Sequence, residues 1–362
     1  MATTTTIRGI RYSEGRARNR RSQQLFYCAF FPERAPLESV RGVVFFLHGI
    51  GEHSHRFLHV YEHLVALGFG VLAYDMVGHG RSDCDVPELR AHAERFEHFV
   101  DDTNDVITAA KYSVYPEMLP PHARVVGGAD EPPMFFLGIS YGCLVGLHTI
   151  LSGVHPFRGV ALASPALGVE MTLVLRLQQV LAKPMAFAIP HYRIVPGVNF
   201  DGLTRDPAFY RDYMNDKLNV KDNMTARMGM LSLTAMAAIE QHSATTDPAS
   251  AFCRLPLLIL QGTADIVTSV SVARAFYQRV ANFDKEMKEY PGLCHCIYNE
   301  PEKQQVLEDL SSWLLARATQ YAQLHPPTSS SSSSSSNSSN DDRHHNELNA
   351  TEVTTTTLWS KL

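Results

Sequence analysis

The stretch Gly138-Ile139-Ser140-Tyr141-Gly142 sets one hydroxyl between two glycines, just after the apolar run Met134 to Leu137 and before Leu144, Leu147 and Leu151. A serine on a sharp strand-to-helix turn takes a strained backbone conformation, and only small residues two before and two after it avoid collision. Such a turn aims the hydroxyl outward at the start of a helix, whose positive end favours developing negative charge. A Gly-x-Ser-x-Gly match arises by chance on the order of 0.1 times in a chain this long. The placement, not the match, carries the reading.

A serine hydroxyl is a poor nucleophile without a base, and the base needs an orienting carboxylate. Gln261-Gly262-Thr263-Ala264-Asp265 follows the apolar run Leu257 to Leu260, and Pro291-Gly292-Leu293-Cys294-His295 follows a run ending at Tyr290. Nucleophile, acid and histidine thus occur in chain order, the last two on loops after later strands. The chain has 17 histidines, so position, not residue type, singles out His295. His48-Gly49-Ile50-Gly51 follows the run Val43 to Leu47 and supplies the third part, an oxyanion hole. The Ile50 and Tyr141 backbone amides are the expected donors, each worth about 10²–10³ in rate. His48 is read as holding that loop. Asp75, ahead of Gly78-His79-Gly80-Arg81-Ser82-Asp83, is a competing carboxylate read as supporting the wall of the site. That loop lacks the Lys-Ser or Lys-Thr of a phosphate-binding loop.

The elements that must position these groups are legible as alternation. Strands are expected at Leu25 to Phe31, Val43 to Leu47, Gly70 to Tyr74, Met134 to Leu137, Val160 to Ala163, Leu257 to Leu260 and Lys285 to Tyr290. Most are continuously apolar, as strands covered on both faces must be. Between them Phe57 to Leu67 and Phe96 to Ala110 repeat apolar residues on one helical face. Strand and helix alternate, which predicts a mainly parallel sheet with helices on both faces. From 167 to 249 the pattern turns helical, with Leu173, Leu177, Val180 and Leu181 on one face and Met224, Met228, Leu231 and Met236 on a later one. This is read as a cap inserted over the sheet's carboxyl edge, its methionines lining an adaptable apolar pocket or forming plain helix core. Residues 1–166 and 250–325 then form the core. Tyr115 to Pro133, rich in proline and glycine, reads as a long surface loop. Residues 326–362, with the serine run Ser329 to Ser336, cannot bury enough apolar surface to offset ordering and read as a disordered tail.

Composition narrows the partners. A formal net charge of −5 offers no general reason to bind nucleic acid. Arg16, Arg18, Arg20 and Arg21 read as a solvated turn between two early strands, with a basic contact to membrane or RNA as the alternative. The six cysteines lack Cys-x-x-Cys spacing, so no structural zinc is expected, and without a signal peptide they are expected to be reduced. Arg176, Lys183 and Pro184 interrupt the most apolar stretch, Met171 to Pro190, so no membrane span is expected and the chain is read as soluble.

As a set, these motifs resemble the monoglyceride lipases and lysophospholipase-like serine hydrolases, proteins of the α/β-hydrolase fold. The resemblance rests on His48 to Ser54, Asp75 to Ser82, Gly138 to Gly142, Leu260 to Asp265 and Gly292 to His295, in consistent order over residues 8 to 318. It implies hydrolysis of monoacylglycerols or close relatives through an acyl-enzyme on Ser140, without cofactor or metal, with Asp265 and His295 completing the triad. It also implies a cap over an acyl-chain tunnel that touches membranes, and positioning of glycerol by Glu52 and Arg56. Where the family often has His-Ser-Met-Gly-Gly, this chain has Ile139-Ser140-Tyr141-Gly142-Cys143. Tyr141 keeps the amide but its ring could narrow the pocket. Lysophospholipids, thioesters and small esters are alternative substrates on the same scaffold. Dehalogenases and epoxide hydrolases use an aspartate where Ser140 stands, and a non-catalytic lipid carrier would not need the triad. Cys294 and Cys296 flank His295, as inert residues or as thiols whose modification distorts the base. The terminal Ser360-Lys361-Leu362 reads as a tripeptide for the peroxisomal import receptor, giving a peroxisome or glycosome address with the cytosol as alternative.

Overall fold

A computed structural model describes residues 3–7, 9–34, 40–124, 130–169 and 183–325. The first cap helix read around Leu173 to Leu181 and the tail from 326 onward lie outside these residues.

Strands β1 (Thr3–Ile7), β2 (Ile10–Arg18), β3 (Gln24–Pro32), β4 (Val43–Leu47), β5 (Gly70–Tyr74), β6 (Met134–Ile139) and β7 (Val160–Ala163) come first in the chain. A short ribbon of β8 (Arg193–Val195) and β9 (Met224–Thr225) follows, and then β10 (Leu257–Gly262) and β11 (Lys285–Tyr290). All but β8 and β9 form one sheet in the order β1-β2-β3-β5-β4-β6-β7-β10-β11. Pairing is antiparallel from β1 through β5 and parallel from β5 onward. Every residue of β4, β5, β6, β7 and β10 is buried, so both faces of the parallel region are covered. Helix Leu58–Ala66 packs on β3 and β5 and touches Lys303–Leu324. Phe96–Ser113 packs against Tyr141–Leu151, which lies on β6 and β4, while Val270–Arg279 lies on β10.

The register positions the site. Leu47 stands opposite Gly138, Ile139 opposite Ala163, Leu260 also opposite Ala163, and Gly262 opposite Tyr290. The loops after β4, β6, β7, β10 and β11 therefore leave the sheet at one level of its carboxyl edge. That β7 pairs directly with β10 shows that the described residues between them in sequence stand outside the sheet order. Among the described residues of that segment lie helices Pro207–Asn215 and Ala226–Gln241 and the β8–β9 ribbon. No strand was expected there. The paired pieces are three and two residues long, too short to show a period of two.

Two further readings change. Arg16 and Arg18 belong to β2, where they are exposed and Ala17 between them is buried. A half-solvated strand written with charged and small residues carries little apolar signal. Arg20 and Arg21 pair with Asp105 at 2.7 Å and Asp102 at 2.6 Å on helix Phe96–Ser113, so half the basic cluster is neutralised internally. Tyr115 to Pro133 is not a surface loop throughout. It begins with a helical turn at Tyr115–Met118 and a 3-10 turn at Pro121–Arg124, and Tyr115, Met118, Leu119 and Ala123 are buried. Pro116 sits in the first helical turn, where proline costs no hydrogen bond.

Several buried imidazoles stay neutral within this scaffold. Burial pushes His48 and His59 down to about 4 and His79 to about 3. The unfolded chain titrates near 6.5, so between about pH 6.5 and 4 it binds protons that the native state refuses, and stability falls as pH drops through that window. The urea midpoint should therefore decline steadily from pH 7 to pH 4.5; a flat midpoint would show that these rings are charged in the native state.

Candidate active site

Ser140 is held at φ 54°, ψ −120°, outside the regions open to ordinary residues. Its N–H donates to Ala163 O at 2.9 Å, and its carbonyl accepts from Cys143 N at 3.0 Å and Ala166 N at 3.1 Å. The strained turn is thus fixed from β6, β7 and its own helix. A side chain on Gly142 would place Cβ 2.4 Å from Leu47 O, and one on Gly138 would meet Cys143 N at 3.0 Å. Both glycines are therefore steric requirements of the turn.

Asp265 Oδ2 lies 2.9 Å from His295 Nδ1. A carboxylate only accepts, so Nδ1 carries the proton and Nε2 keeps the lone pair a base requires. Four other groups approach Asp265: Val267 N at 2.8 Å, Thr268 N at 2.9 Å, Thr268 Oγ1 at 2.7 Å and Gln261 Nε2 at 3.0 Å. Burial raises the pKa of Asp265, but His295, its side-chain hydrogen bond and the Thr268 donors outweigh it and hold the carboxyl below its usual range. Gln261 and Thr268 were not singled out in the sequence. Their only signal was proximity to Asp265, and Thr and Gln are common loop residues.

No hydrogen bond within 3.5 Å joins Ser140 Oγ to His295 Nε2 among the described residues, so this conformation leaves that link open. Such bonds are commonly long without substrate and shorten in the complex. The two loops are nonetheless tied together. Ser164, with φ 44°, donates its hydroxyl to His295 O at 2.7 Å and its N–H to Leu260 O at 2.8 Å. Ser164 follows Ala163, the acceptor of the Ser140 N–H, and so acts as a strut that the sequence reading missed.

A Cβ on Gly49 would lie 3.3 Å from Ser140 Cβ, so the loop after β4 abuts the serine. The amides of Ile50 and Tyr141 donate to no protein acceptor among the described residues. His48 holds this loop. Its Nδ1 donates to Gly49 O at 2.8 Å and its Nε2 accepts from Met76 N at 3.0 Å, so both nitrogens are committed and neither is free for proton transfer. Asp75 accepts from Ser54 N at 2.7 Å, Ser54 Oγ at 2.6 Å and Arg81 N at 2.8 Å. A Cβ on Gly80, at φ +49°, would come within 2.0 Å of Asp75 Oδ2. The Asp75 loop is built around this buried carboxylate.

Glu52 Oε2 accepts from Gly49 N at 3.3 Å, and its own N–H donates to Gly49 O at 3.3 Å. Burial raises its pKa against the pull of Arg56 and His295. Glu52 thus braces the loop after β4. Arg56 reaches the other way, to Asp212 at 2.5 Å and Asp216 at 3.3 Å, and stacks on Phe209 and Tyr213 of helix Pro207–Asn215. Its Nε and Nη2 are buried without a hydrogen-bond partner among the described residues. The Tyr141 ring packs edge-on against Phe96 and Phe99, and its hydroxyl accepts from Ser232 Oγ at 3.3 Å on Ala226–Gln241. The His295 loop is also pinned from the inserted segment: His295 N donates to Gly202 O at 3.3 Å and Cys296 N to Leu203 O at 2.7 Å. Cys296 is buried and Cys294 half-buried, and burial pushes both thiols up, away from the reactive thiolate.

A strained serine and a carboxylate–imidazole pair at the carboxyl edge of one mostly parallel sheet define an α/β-hydrolase. The Hydrolase_4 family, described as Serine aminopeptidase, S33, matches residues 38–302, and the chain belongs to it. It is a hydrolase that resembles the monoglyceride lipases. The chain is 29% identical to the monoacylglycerol lipase of Mycolicibacterium smegmatis over 301 residues, 81% of this chain and 93% of that protein. It is 25% identical to the phospholipase YtpA of Bacillus subtilis over 267 residues, 74% of this chain and 92% of that protein. The crystal structure of the Paleococcus ferrophilus monoacylglycerol lipase aligns with TM-score 0.63 at 25% identity, covering 81% of this chain and 99% of that one.

Thr268→Val removes one donor to the Asp265 carboxylate, a bond to a charged group worth about 1.5–3 kcal/mol. We expect kcat to fall roughly tenfold or more with KM little changed, and Thr268→Ser to recover most of it. Equal activity of Thr268→Val and wild type in steady-state ester hydrolysis would show that the other donors suffice.

Proposed function

We propose that this chain is a serine hydrolase that cleaves the ester bond of monoacylglycerols, releasing fatty acid and glycerol. The observation that carries the reading is the buried Asp265–His295 hydrogen bond, on the same sheet edge as the strained Ser140 and two amides with no protein acceptor among the described residues. His295 Nε2 takes the Ser140 proton as Oγ attacks the acyl carbonyl, and Asp265 stabilises the imidazolium that results. The Ile50 and Tyr141 amides receive the developing oxyanion. The imidazolium then returns its proton to the departing glycerol oxygen, leaving an acyl-enzyme. Water, deprotonated by His295, attacks that ester, and collapse releases the fatty acid and restores Ser140. No step calls on a cofactor. Similarity to the Mycolicibacterium monoacylglycerol lipase supports the substrate class, and similarity to the Bacillus phospholipase keeps a lysophospholipid as the second reading.

The buried Nε and Nη2 of Arg56 support a part for it at the polar end of the pocket, with Glu52 acting through the oxyanion loop. Among the described residues no helix is long and apolar enough to cross a membrane. Met185, Phe187, Tyr192 and Ile194, in the segment between β7 and β10, are exposed, with Phe187 at 88%. Apolar side chains at that exposure support transient contact with the lipid surface from which the substrate is drawn. We further propose that Ser360-Lys361-Leu362 is recognised by the peroxisomal import receptor.

A fluorophosphonate probe should label the wild-type chain and not Ser140→Ala, whose kcat falls by about 10⁶. Labelling that persists in Ser140→Ala would dispose of Ser140 as nucleophile, and a higher kcat/KM on lysophospholipid than on monoacylglycerol would select the second reading. Fused to a fluorescent reporter, residues 326–362 should bring it to peroxisomes or glycosomes. Deletion of the last three residues should disperse it, and an unchanged distribution would remove the address.

A further inference from the structure

We propose that His92, Glu94 and His191 form a binding site for one divalent metal ion of the zinc type, which ties the loop before Phe96–Ser113 to the segment leading into β8. None of these residues has a part in the ester chemistry. Each offers one ligand atom, and the three atoms lie within 4.8 Å of one another. His92 Nε2 is 3.1 Å and His191 Nε2 2.9 Å from Glu94 Oε1. Tetrahedral bonds of about 2.0–2.1 Å to a zinc ion separate neighbouring ligand atoms by roughly 3.3 Å. The two N···O spacings thus need to open by only a few tenths of an ångström, with the two imidazole nitrogens within 4.8 Å of each other.

The donor set points to the metal. Two imidazole nitrogens and one carboxylate oxygen suit zinc, cobalt or nickel, whereas magnesium and calcium want oxygen alone. The surroundings are also those of a ligand set. His92 Nδ1 lies 2.8 Å from Thr225 Oγ1, a partner that fixes the ring and can accept its proton when Nε2 binds metal. Glu94 gives its other oxygen to Arg227, which orients the carboxylate and leaves Oε1 facing the imidazoles. His92 is buried, Glu94 half-buried and the His191 side chain 47% exposed, so the trio opens to solvent on one side. Without metal, both Nε2 atoms crowd one carboxylate oxygen as N–H donors. An ion would replace those two hydrogen bonds by ligation and keep a fourth position for water. The site would pin β8 and Thr225, the N-cap of Ala226–Gln241, to the core. No local spacing in the sequence announces it, because Glu94 and His191 are 97 residues apart.

The test is isothermal titration of the untagged full chain, stripped by chelator dialysis, with zinc chloride, followed by cobalt absorption spectroscopy. His295, the cysteines and the histidines at 344 and 345 can also take zinc, so the comparison is with His191→Ala, an exposed substitution whose folding is checked by circular dichroism. Wild type should bind one more equivalent than His191→Ala, at micromolar affinity or better, and Glu94→Gln should weaken that equivalent more than tenfold. The cobalt complex should show the visible bands of a four-coordinate ion, absent in His191→Ala. Identical stoichiometry and affinity in wild type and His191→Ala would overturn the proposal. So would the lack of any wild-type site tighter than about 100 μM.

Discussion

The hydrogen bond between Asp265 and His295 is the constraint on which the site is organised. A carboxylate taken out of water carries a penalty of several kcal/mol unless its oxygens are satisfied. Here the two backbone donors at 267 and 268, the Thr268 hydroxyl, the Gln261 amide and the imidazole itself do so. The bond fixes the histidine tautomer, and the tautomer decides which nitrogen keeps a free lone pair. The loop after β10 is therefore shaped to keep an anion ionised while buried, not merely to deliver it.

Ser140 is held by a different kind of force. Ser140 and Ser164 both sit at positive φ, just past the ends of adjacent strands, and each is clamped by backbone hydrogen bonds to its neighbours. Strain of this kind persists only where the surroundings over-determine it. Ser164 links the two arrangements, because its hydroxyl holds the His295 carbonyl while the residue before it anchors Ser140. The inserted segment adds a second grip. Gly202 and Leu203 bond to the backbone of residues 295 and 296, Val220 N donates to Gly51 O at 2.8 Å, and Asp212 and Asp216 hold Arg56. Motion of that segment would accordingly be felt by the His295 loop and by the loop after β4 together.

Much of the fold could be read from the chain because a sheet covered on both faces writes itself as uninterrupted apolar runs. Val43–Leu47 and Leu257–Leu260 are such runs, bounded by glycine or polar loops. β2 escaped because its solvated half alternates arginine with alanine and glycine. Tyr115–Met118 escaped because a proline and a glutamate masked a turn that buries Tyr115 and Met118. The β8–β9 ribbon is too short for any periodic signal.

From its own order of residues the chain specified local matters: which stretches are strands, where a serine must be flanked by glycine, and which carboxylate and histidine follow a strand. These depend on interactions within a few residues, so they are written locally. Only the tertiary structure decided that Gln261 and Thr268 serve Asp265, that Ser164 braces His295, that His48 has both nitrogens occupied, and that Arg56 turns toward Asp212 and Asp216. Each of these depends on strands brought side by side in parallel register across long stretches of chain, and a distance of that kind has no spacing rule by which to be read.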